Sequence, residues 1–178
     1  GLILFSGIFD THVHFQTGTS HLDTLQNATR AAALGGTTTI IGHVRSPEGN
    51  LVAEVERQQR LAVECPIDVA FHAIISQQDD VGKVVPALVE RGVRSFKFFM
   101  PYADSGLGLD DRALYEAFEV IGQHGGVAVV HAEHAGLIAA LEDALVATQR
   151  TMITDYPASR PVETEVEAMR RALWLSNE

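Results

Sequence analysis

The sequence has almost no cysteine and no long apolar run. Cys65 is the only cysteine among 178 residues, which excludes a disulfide framework and a thiolate metal cluster. No apolar stretch approaches the roughly 18 residues of a membrane span. The first residues also lack the basic start and cleavage pattern of a secretory signal. We therefore expect a cytoplasmic protein that has no membrane segment.

Positive charge is also scarce. The chain has 13 Lys and Arg against 23 Asp and Glu, a formal net charge of −10, and its basic residues are scattered. Because nucleic-acid binding needs a basic stripe that contacts phosphates, we expect no nucleic-acid partner. With 46% hydrophobic residues, the chain can bury the core of one ordinary domain, residues 1–178.

Apolar runs rich in β-branched residues alternate with amphipathic segments along the chain. Ser20 and Asp23 form a capping-box pair before the first helix, and Asn50 can cap the second. We predict five strands, at 7–15, 37–41, 67–75, 93–100 and 127–132, and six helices that end near residues 34, 63, 92, 124, 148 and 175.

Strands that alternate with helices predict a parallel sheet with helices on both faces and right-handed crossovers. Two architectures fit this α/β pattern. One is an open doubly wound sheet; the other is the first five strands of a (β/α)8 TIM-type barrel, which typically needs about 250 residues. Periodicity does not distinguish them. In both folds the functional groups gather at the carboxyl ends of the strands.

The first predicted strand carries two histidines, His12 and His14, at positions i and i+2. Side chains alternate along a strand, so both imidazoles and the carboxylate of Asp10 share one face. Imidazole is a common zinc ligand, and Asp10 could hydrogen-bond a ring nitrogen of His12 and fix its tautomer. The alternative is that the two histidines merely cap a strand.

Lys97 and His131 occupy the ends of the fourth and fifth strands. Burial among phenylalanines lowers the pKa of a lysine, and the neutral amine can react with carbon dioxide to give a carbamate, an anionic metal bridge. The alternative for Lys97 is a buried salt bridge, for example to Asp10. We interpret His43 and His72, on the second and third strands, as polar groups with satisfied hydrogen bonds rather than as ligands.

Five groups of residues occur together in an order and spacing typical of one family. They are Asp10-x-His12-x-His14, residues 35–41 (Gly-Gly-Thr-Thr-Thr-Ile-Ile), Ser95-Phe96-Lys97-x-Phe99-Met100-x-Tyr102, His131-Ala132-Glu133, and Arg160-Pro161 with Glu163, Glu165 and Glu167. This set resembles the hydantoinase and dihydropyrimidinase branch of the amidohydrolase superfamily, over nearly the whole chain.

The resemblance implies a partial metal-dependent barrel domain that holds two divalent ions, usually zinc. His12 and His14 would bind one ion, His131 the other, and carbamylated Lys97 would bridge them. A metal-bridging hydroxide would attack the ring amide of a hydantoin, dihydropyrimidine or related ureide, with Tyr102 donating to the oxyanion. Relatives commonly form dimers and tetramers, so we expect a homo-oligomer.

Departures from the family pattern suggest alternatives. Gln16 stands where dihydroorotase-like and allantoinase-like relatives commonly carry Arg, which favours an uncharged ring. Gly42 stands where the family often has Asp. Two other hypotheses are an allantoinase-like or dihydroorotase-like enzyme and a non-catalytic assembly protein similar to dihydropyrimidinase. Non-catalytic relatives tend to lose metal ligands, whereas all four candidate ligands are retained here.

The family also has a metal-binding histidine on the sixth strand and a catalytic aspartate on the eighth. Both would lie beyond Glu178. We therefore expect a fragment that holds strands one to five, whose first and fifth strands are open edges.

Overall fold

Five parallel strands form one sheet, in the order in which they occur along the chain. The computed structural model describes residues 3–16, 23–46 and 48–177. Each strand pairs with the next in parallel. The strands are β1 (Ile8–His14), β2 (Thr37–Val44), β3 (Asp68–Ile74), β4 (Ser95–Phe99) and β5 (Val127–His131).

A helix follows each strand, and a sixth helix ends the described chain. All the predicted helices occur, and their last residues lie within a few positions of the predicted ones. The helices are α1 (Leu25–Leu34), α2 (Leu51–Ala62), α3 (Val81–Glu90), α4 (Asp111–Gln123), α5 (Ala135–Ala147) and α6 (Val162–Leu175). Short 3-10 helices lie at Ala103–Ser105 and Ile153–Ser159.

The strand order decides between the two predicted architectures. A doubly wound sheet reverses its strand order at a switch point, whereas here the spatial order is β1-β2-β3-β4-β5 throughout. The open doubly wound alternative is therefore wrong. The five strands curl into half of a (β/α)8 barrel, the architecture that the resemblance implied.

The two faces of the sheet have different chemistry. One face packs against the helices, and the core there contains Phe71 of β3 and Phe96 and Phe98 of β4, all nearly fully buried. The other face carries polar side chains. Cα pairing aligns His14, His43, His72 and Ser95 in one row across β1 to β4.

The helix caps agree with the sequence in part. Asn50 Oδ1 accepts from the backbone N–H of Ala53 at 3.1 Å, as predicted for the start of α2. The capping box before α1 is corrected: α1 begins at Leu25, and the hydroxyl of Thr24 accepts from the N–H of Asn27 at 3.3 Å. Ser20, the other half of the predicted pair, lies outside the described residues.

The two outer strands of the sheet expose apolar side chains. β1 pairs only with β2, and β5 only with β4, among the described strands. Ile8 and Phe9 of β1 and Val127 of β5 are 56%, 59% and 60% exposed. The prediction of two open edges is confirmed for the strands described here. No described helix is long and apolar enough to cross a bilayer.

Candidate metal centre

The imidazoles of His12 and His14 converge at the end of β1. Their Nε2 atoms are 3.3 Å apart. Zinc bonds of 2.0–2.1 Å in a tetrahedral site place two ligand nitrogens about 3.3–3.4 Å apart. The two β1 imidazoles therefore already have the separation that a divalent ion requires of adjacent ligands.

A local irregularity in β1 accompanies this arrangement. The pairing with β2 shifts register between Asp10 and Val13, so that β1 bulges around His12. The role predicted for Asp10 is corrected: its Oδ1 accepts from the backbone N–H of His12 at 3.0 Å, and not from the imidazole ring. Asp10 thus stabilises the backbone of the bulge that carries His12.

His43, on β2, joins the β1 pair. Its ring centroid lies 4.4 Å from that of His12 and 4.7 Å from that of His14. Candidate ligand nitrogens of the three residues all lie within 4.8 Å of one another. Burial first, and then the neighbouring histidines, lower the pKa of His43 to about 3, so its imidazole is neutral at ordinary pH.

The predicted hydrogen bonds of His43 and His72 are half correct. Both ring nitrogens of His72 have partners, the Ser95 hydroxyl at 2.6 Å and the Thr11 carbonyl at 3.0 Å. His43 Nδ1 lies 3.4 Å from the carbonyl of Val13, but its buried Nε2 has no partner among the described residues. The interpretation of His43 as a satisfied polar group is therefore wrong.

Lys97 is 5% exposed on β4. Burial lowers its pKa. Burial is also the main cause of the lowered pKa values of His14 and His72, and the charge of Lys97 adds to it. Its Nζ lies 5.0 Å from the Phe99 ring centroid. Within the described chain no carboxylate forms an ion pair with this amine, so the predicted alternative of a salt bridge to Asp10 is not formed.

His131 belongs to a second group of side chains, at the end of β5. Its Nε2 is 2.6 Å from Glu133 Oε2, and its ring centroid is 5.5 Å from that of Tyr102. The group of three histidines does not include it. The structure thus brings His12 and His14 together with His43, while His131 faces Glu133 and Tyr102.

Tyr102 lies in the loop after β4 with an unusual backbone. Its φ of 70° and ψ of 34° fall in the left-handed region, which is rare for a bulky residue and costs of the order of 1–3 kcal/mol. Its carbonyl accepts from the Ser105 N–H at 3.2 Å, the Ser105 hydroxyl at 2.8 Å and the Gly108 N–H at 3.1 Å. These bonds stabilise the strained conformation.

Arg160 connects this second group, although no role was predicted for it. Its guanidinium lies 2.9 Å from Glu142 and 3.9 Å from Glu133, and it covers the Tyr156 ring at 4.3 Å. Burial, followed by the charge of Glu133, raises the pKa of Tyr102 and keeps its hydroxyl protonated. The Arg160-Pro161 pair in the sequence was the available signal.

Together, the fold and the site define an α/β-barrel protein with histidines and a buried lysine at its strand ends. No protein-family model matches the chain. It is 35% identical over 182 residues to a D-hydantoinase of Ralstonia pickettii, covering 99% of this chain and 40% of that protein. It is 34% identical over 190 residues to an allantoinase of Escherichia coli O9:H4, covering 99% of this chain and 41% of that protein.

Solved structures agree with these relatives. One D-hydantoinase structure has a TM-score of 0.86 at 32% identity, covering 97% of this chain and 39% of that one. A D-hydantoinase of Bacillus sp. AR9 has a TM-score of 0.84 at 28% identity with the same coverage. The chain is thus similar over nearly its whole length to hydantoinase-type proteins, and it spans about 40% of the length of the curated relatives it matches.

Proposed function

We propose that this chain is part of a metal-dependent enzyme that hydrolyses the cyclic amide of a hydantoin, dihydropyrimidine or related ureide. The observation that carries the proposal is the convergence of the His12 and His14 nitrogens, 3.3 Å apart, on a sheet whose fourth strand holds a buried Lys97 without a carboxylate partner among the described residues. Relatives named D-hydantoinase and allantoinase match 99% of the chain and support the same chemistry.

The residues fit two divalent ions, which we propose to be zinc. His12 and His14 would hold one ion, His131 the other after release from Glu133, and Lys97 would bridge them as its carbamate. Burial lowers the pKa of His14 as well as that of Lys97, so both groups favour the neutral forms that this chemistry needs. When bound, the ions supply Lewis acidity toward a carbonyl and an acidified water.

Each chain residue then has a defined task. The neutral Lys97 amine adds to carbon dioxide, forming an N–C bond and releasing one proton, which gives the carbamate. The Tyr102 hydroxyl donates a hydrogen bond to the oxygen that becomes negative when the ring amide is attacked. Its raised pKa keeps that hydrogen in place. Gln16 offers a neutral amide, which favours an uncharged ring over a charged substrate.

The likeness to allantoinases makes allantoin the second substrate candidate, since their identity of 34% is close to the 35% of the D-hydantoinase. A non-catalytic assembly role is less favoured, because all four proposed ligands are present. We further propose a cytoplasmic homo-oligomer, a dimer or tetramer, whose barrel domain includes residues 1–178.

The test is elemental analysis of the purified chain together with its intact mass under non-denaturing conditions. We expect two divalent ions and one added carbon dioxide per chain. Hydantoin, dihydrouracil and allantoin are then compared in a ring-opening assay. A chain that carries neither metal nor adduct after incubation with zinc and bicarbonate contradicts the proposed centre.

A further inference from the structure

His43 has a buried nitrogen without a hydrogen-bond partner. The residue is 2% exposed, and its Nε2 has no partner among the described residues. The other nitrogen, Nδ1, lies 3.4 Å from the carbonyl of Val13. A carbonyl only accepts, so Nδ1 carries the hydrogen and Nε2 keeps its lone pair. Native proteins rarely bury a nitrogen lone pair without a partner. We therefore expect Nε2 to bind a group that accepts electrons, such as a metal ion.

The lone pair lies beside two further imidazoles. His14 pairs with His43 across β1 and β2, and their rings stack at 19°. Ligand nitrogens of His12, His14 and His43 are within 4.8 Å of one another, and the His12 and His14 side chains are exposed enough to rotate toward His43. A carbonyl bonded to the second nitrogen is the usual support for a metal-binding imidazole.

We propose that His43 is a third imidazole ligand, so that His12, His14 and His43 bind one divalent ion across β1 and β2. Three protein ligands leave a fourth position for water or substrate, as in catalytic zinc sites. The inference rests on the proposed function for the roles of His12 and His14, but it requires neither the Lys97 carbamate nor His131.

The next residue in the same row provides a matched control. His72 pairs with His43 across β2 and β3 and is similarly buried, at 7% exposure. Because both of its nitrogens already have partners, it cannot ligate the ion without losing a hydrogen bond. His43→Gln and His72→Gln therefore make the same change at adjacent positions, with opposite expectations for zinc.

The experiment removes metal from the chain with a chelator and titrates Zn²⁺ alone against a chromophoric competitor. We expect His43→Gln to weaken zinc binding by at least about 100-fold, the upper end of what losing a mere supporting residue costs, and His72→Gln to change it less than about 3-fold. Equal binding by wild type and His43→Gln, or no zinc binding by wild type, would overturn the inference.

Two further variants separate this inference from the proposed function. If Lys97→Ala and His131→Ala bind one zinc ion as wild type does while His43→Gln does not, the three-histidine site stands and the bridged centre fails. If Lys97→Ala and His131→Ala lose zinc while His43→Gln retains it, the bridged centre stands and the inference fails.

A measurement on the wild-type chain covers the case in which a variant does not fold. Imidazole nitrogens labelled with nitrogen-15 report metal coordination directly by NMR. We expect the Nε2 resonance of His43 to shift on addition of zinc together with those of His12 and His14. A shift confined to His12 and His14 would overturn the inference.

Discussion

At the scale of single residues, the burial of Lys97 destabilises the folded chain but favours the neutral amine that the proposed carbamate requires. The ammonium is disfavoured where it is buried, and its pKa is lowered from the ordinary 10.5. The unfolded chain therefore binds the proton more tightly, so this lysine destabilises the folded state at neutral pH, and stability increases as pH rises toward 10.5. We expect Lys97→Met to raise the free energy of unfolding of the metal-free chain by about 0.5–2 kcal/mol and to abolish the carbon dioxide adduct.

Urea denaturation and native mass spectrometry check both parts of this prediction. Lys83→Met is the control, because Lys83 is exposed on α3 and pairs with Asp80 at 2.6 Å. It should retain the adduct and change stability by less than about 0.5 kcal/mol. A Lys97→Met chain that still carries the adduct, or that is less stable than wild type, would contradict the role given to Lys97.

Tyr102 is predicted to act on the chemical step. In protein that turns over its substrate, Tyr102→Phe should lower kcat by about 10²–10³-fold, the usual cost of losing one oxyanion donor, with KM nearly unchanged. Steady-state kinetics measures this, with Tyr115→Phe on α4 as the control. A rise in KM at constant kcat would mean instead that Tyr102 only binds the substrate.

His43 also gives the metal-free chain a specific pH dependence. Its folded pKa of about 3 lies below the ordinary 6.5, so only the unfolded chain takes up a proton between these values. Stability from this group is complete above pH 6.5 and is lost as pH falls. Between pH 8 and pH 5, where carboxylates remain ionised, His43 alone should account for a loss of about 2 kcal/mol.

Denaturant titrations of the metal-free chain at pH 8 and pH 5 measure that loss. We expect His43→Phe to reduce the difference between the two free energies of unfolding. His124→Phe, at the C-cap of α4, is the control and should keep the wild-type difference. An identical pH dependence in wild type and His43→Phe would mean that His43 is no more shielded from protons in the folded chain than in the unfolded one.

At the scale of elements, Gly42 of β2 packs against Phe15, a contact that the sequence of β2 alone does not predict. A Cβ added to Gly42 would lie 2.0 Å from Cε1 of Phe15, which is only 2% exposed. Phe15 thus occupies the space that a side chain at position 42 would need. We expect Gly42→Ala to destabilise the chain by about 1–3 kcal/mol through overpacking.

A double-mutant cycle with Phe15→Leu tests this contact. The smaller side chain should relieve the clash, so that the cost of Gly42→Ala is lower in the Phe15→Leu background. Gly122→Ala in α4 is the matched control, because a Cβ there meets nothing within 4 Å. It should stabilise the helix by about 0.5–1 kcal/mol. Strictly additive effects of Gly42→Ala and Phe15→Leu would exclude the clash.

Some features of these elements could be predicted from the sequence, and others could not. Local signals were sufficient for the helix ends and for the cap at Asn50, since they depend on neighbouring residues. The bulge in β1 and the position of Asp10 depend on pairing with β2, and the unpaired Nε2 of His43 depends on what three strands bring together. The periodicity of the sequence does not predict such contacts between strands.

At the scale of the whole molecule, periodicity alone could not separate a barrel from a doubly wound sheet. Both alternate strands with helices, and they differ only in the spatial order of the strands. The ordered motifs at the strand ends indicated the barrel instead, through their resemblance to a family for which a barrel is expected. The convergence of His12 and His14 could be predicted, whereas the pairing of His131 with Glu133 could not.

The open half-barrel also predicts how copies of this chain behave together. Exposed apolar side chains line both edges of the sheet, and edge strands have unpaired backbone groups that can pair with another copy. We therefore expect concentration-dependent self-association of the purified chain in sedimentation velocity. A charge on an edge opposes such pairing, so Phe9→Lys and Val127→Lys together should shift the population toward monomer. Val63→Lys, at a still more exposed apolar position after α2, should not. If Val63→Lys dissociates the complexes as well as the edge variants do, general surface hydrophobicity drives association, and the edges of the half-barrel do not.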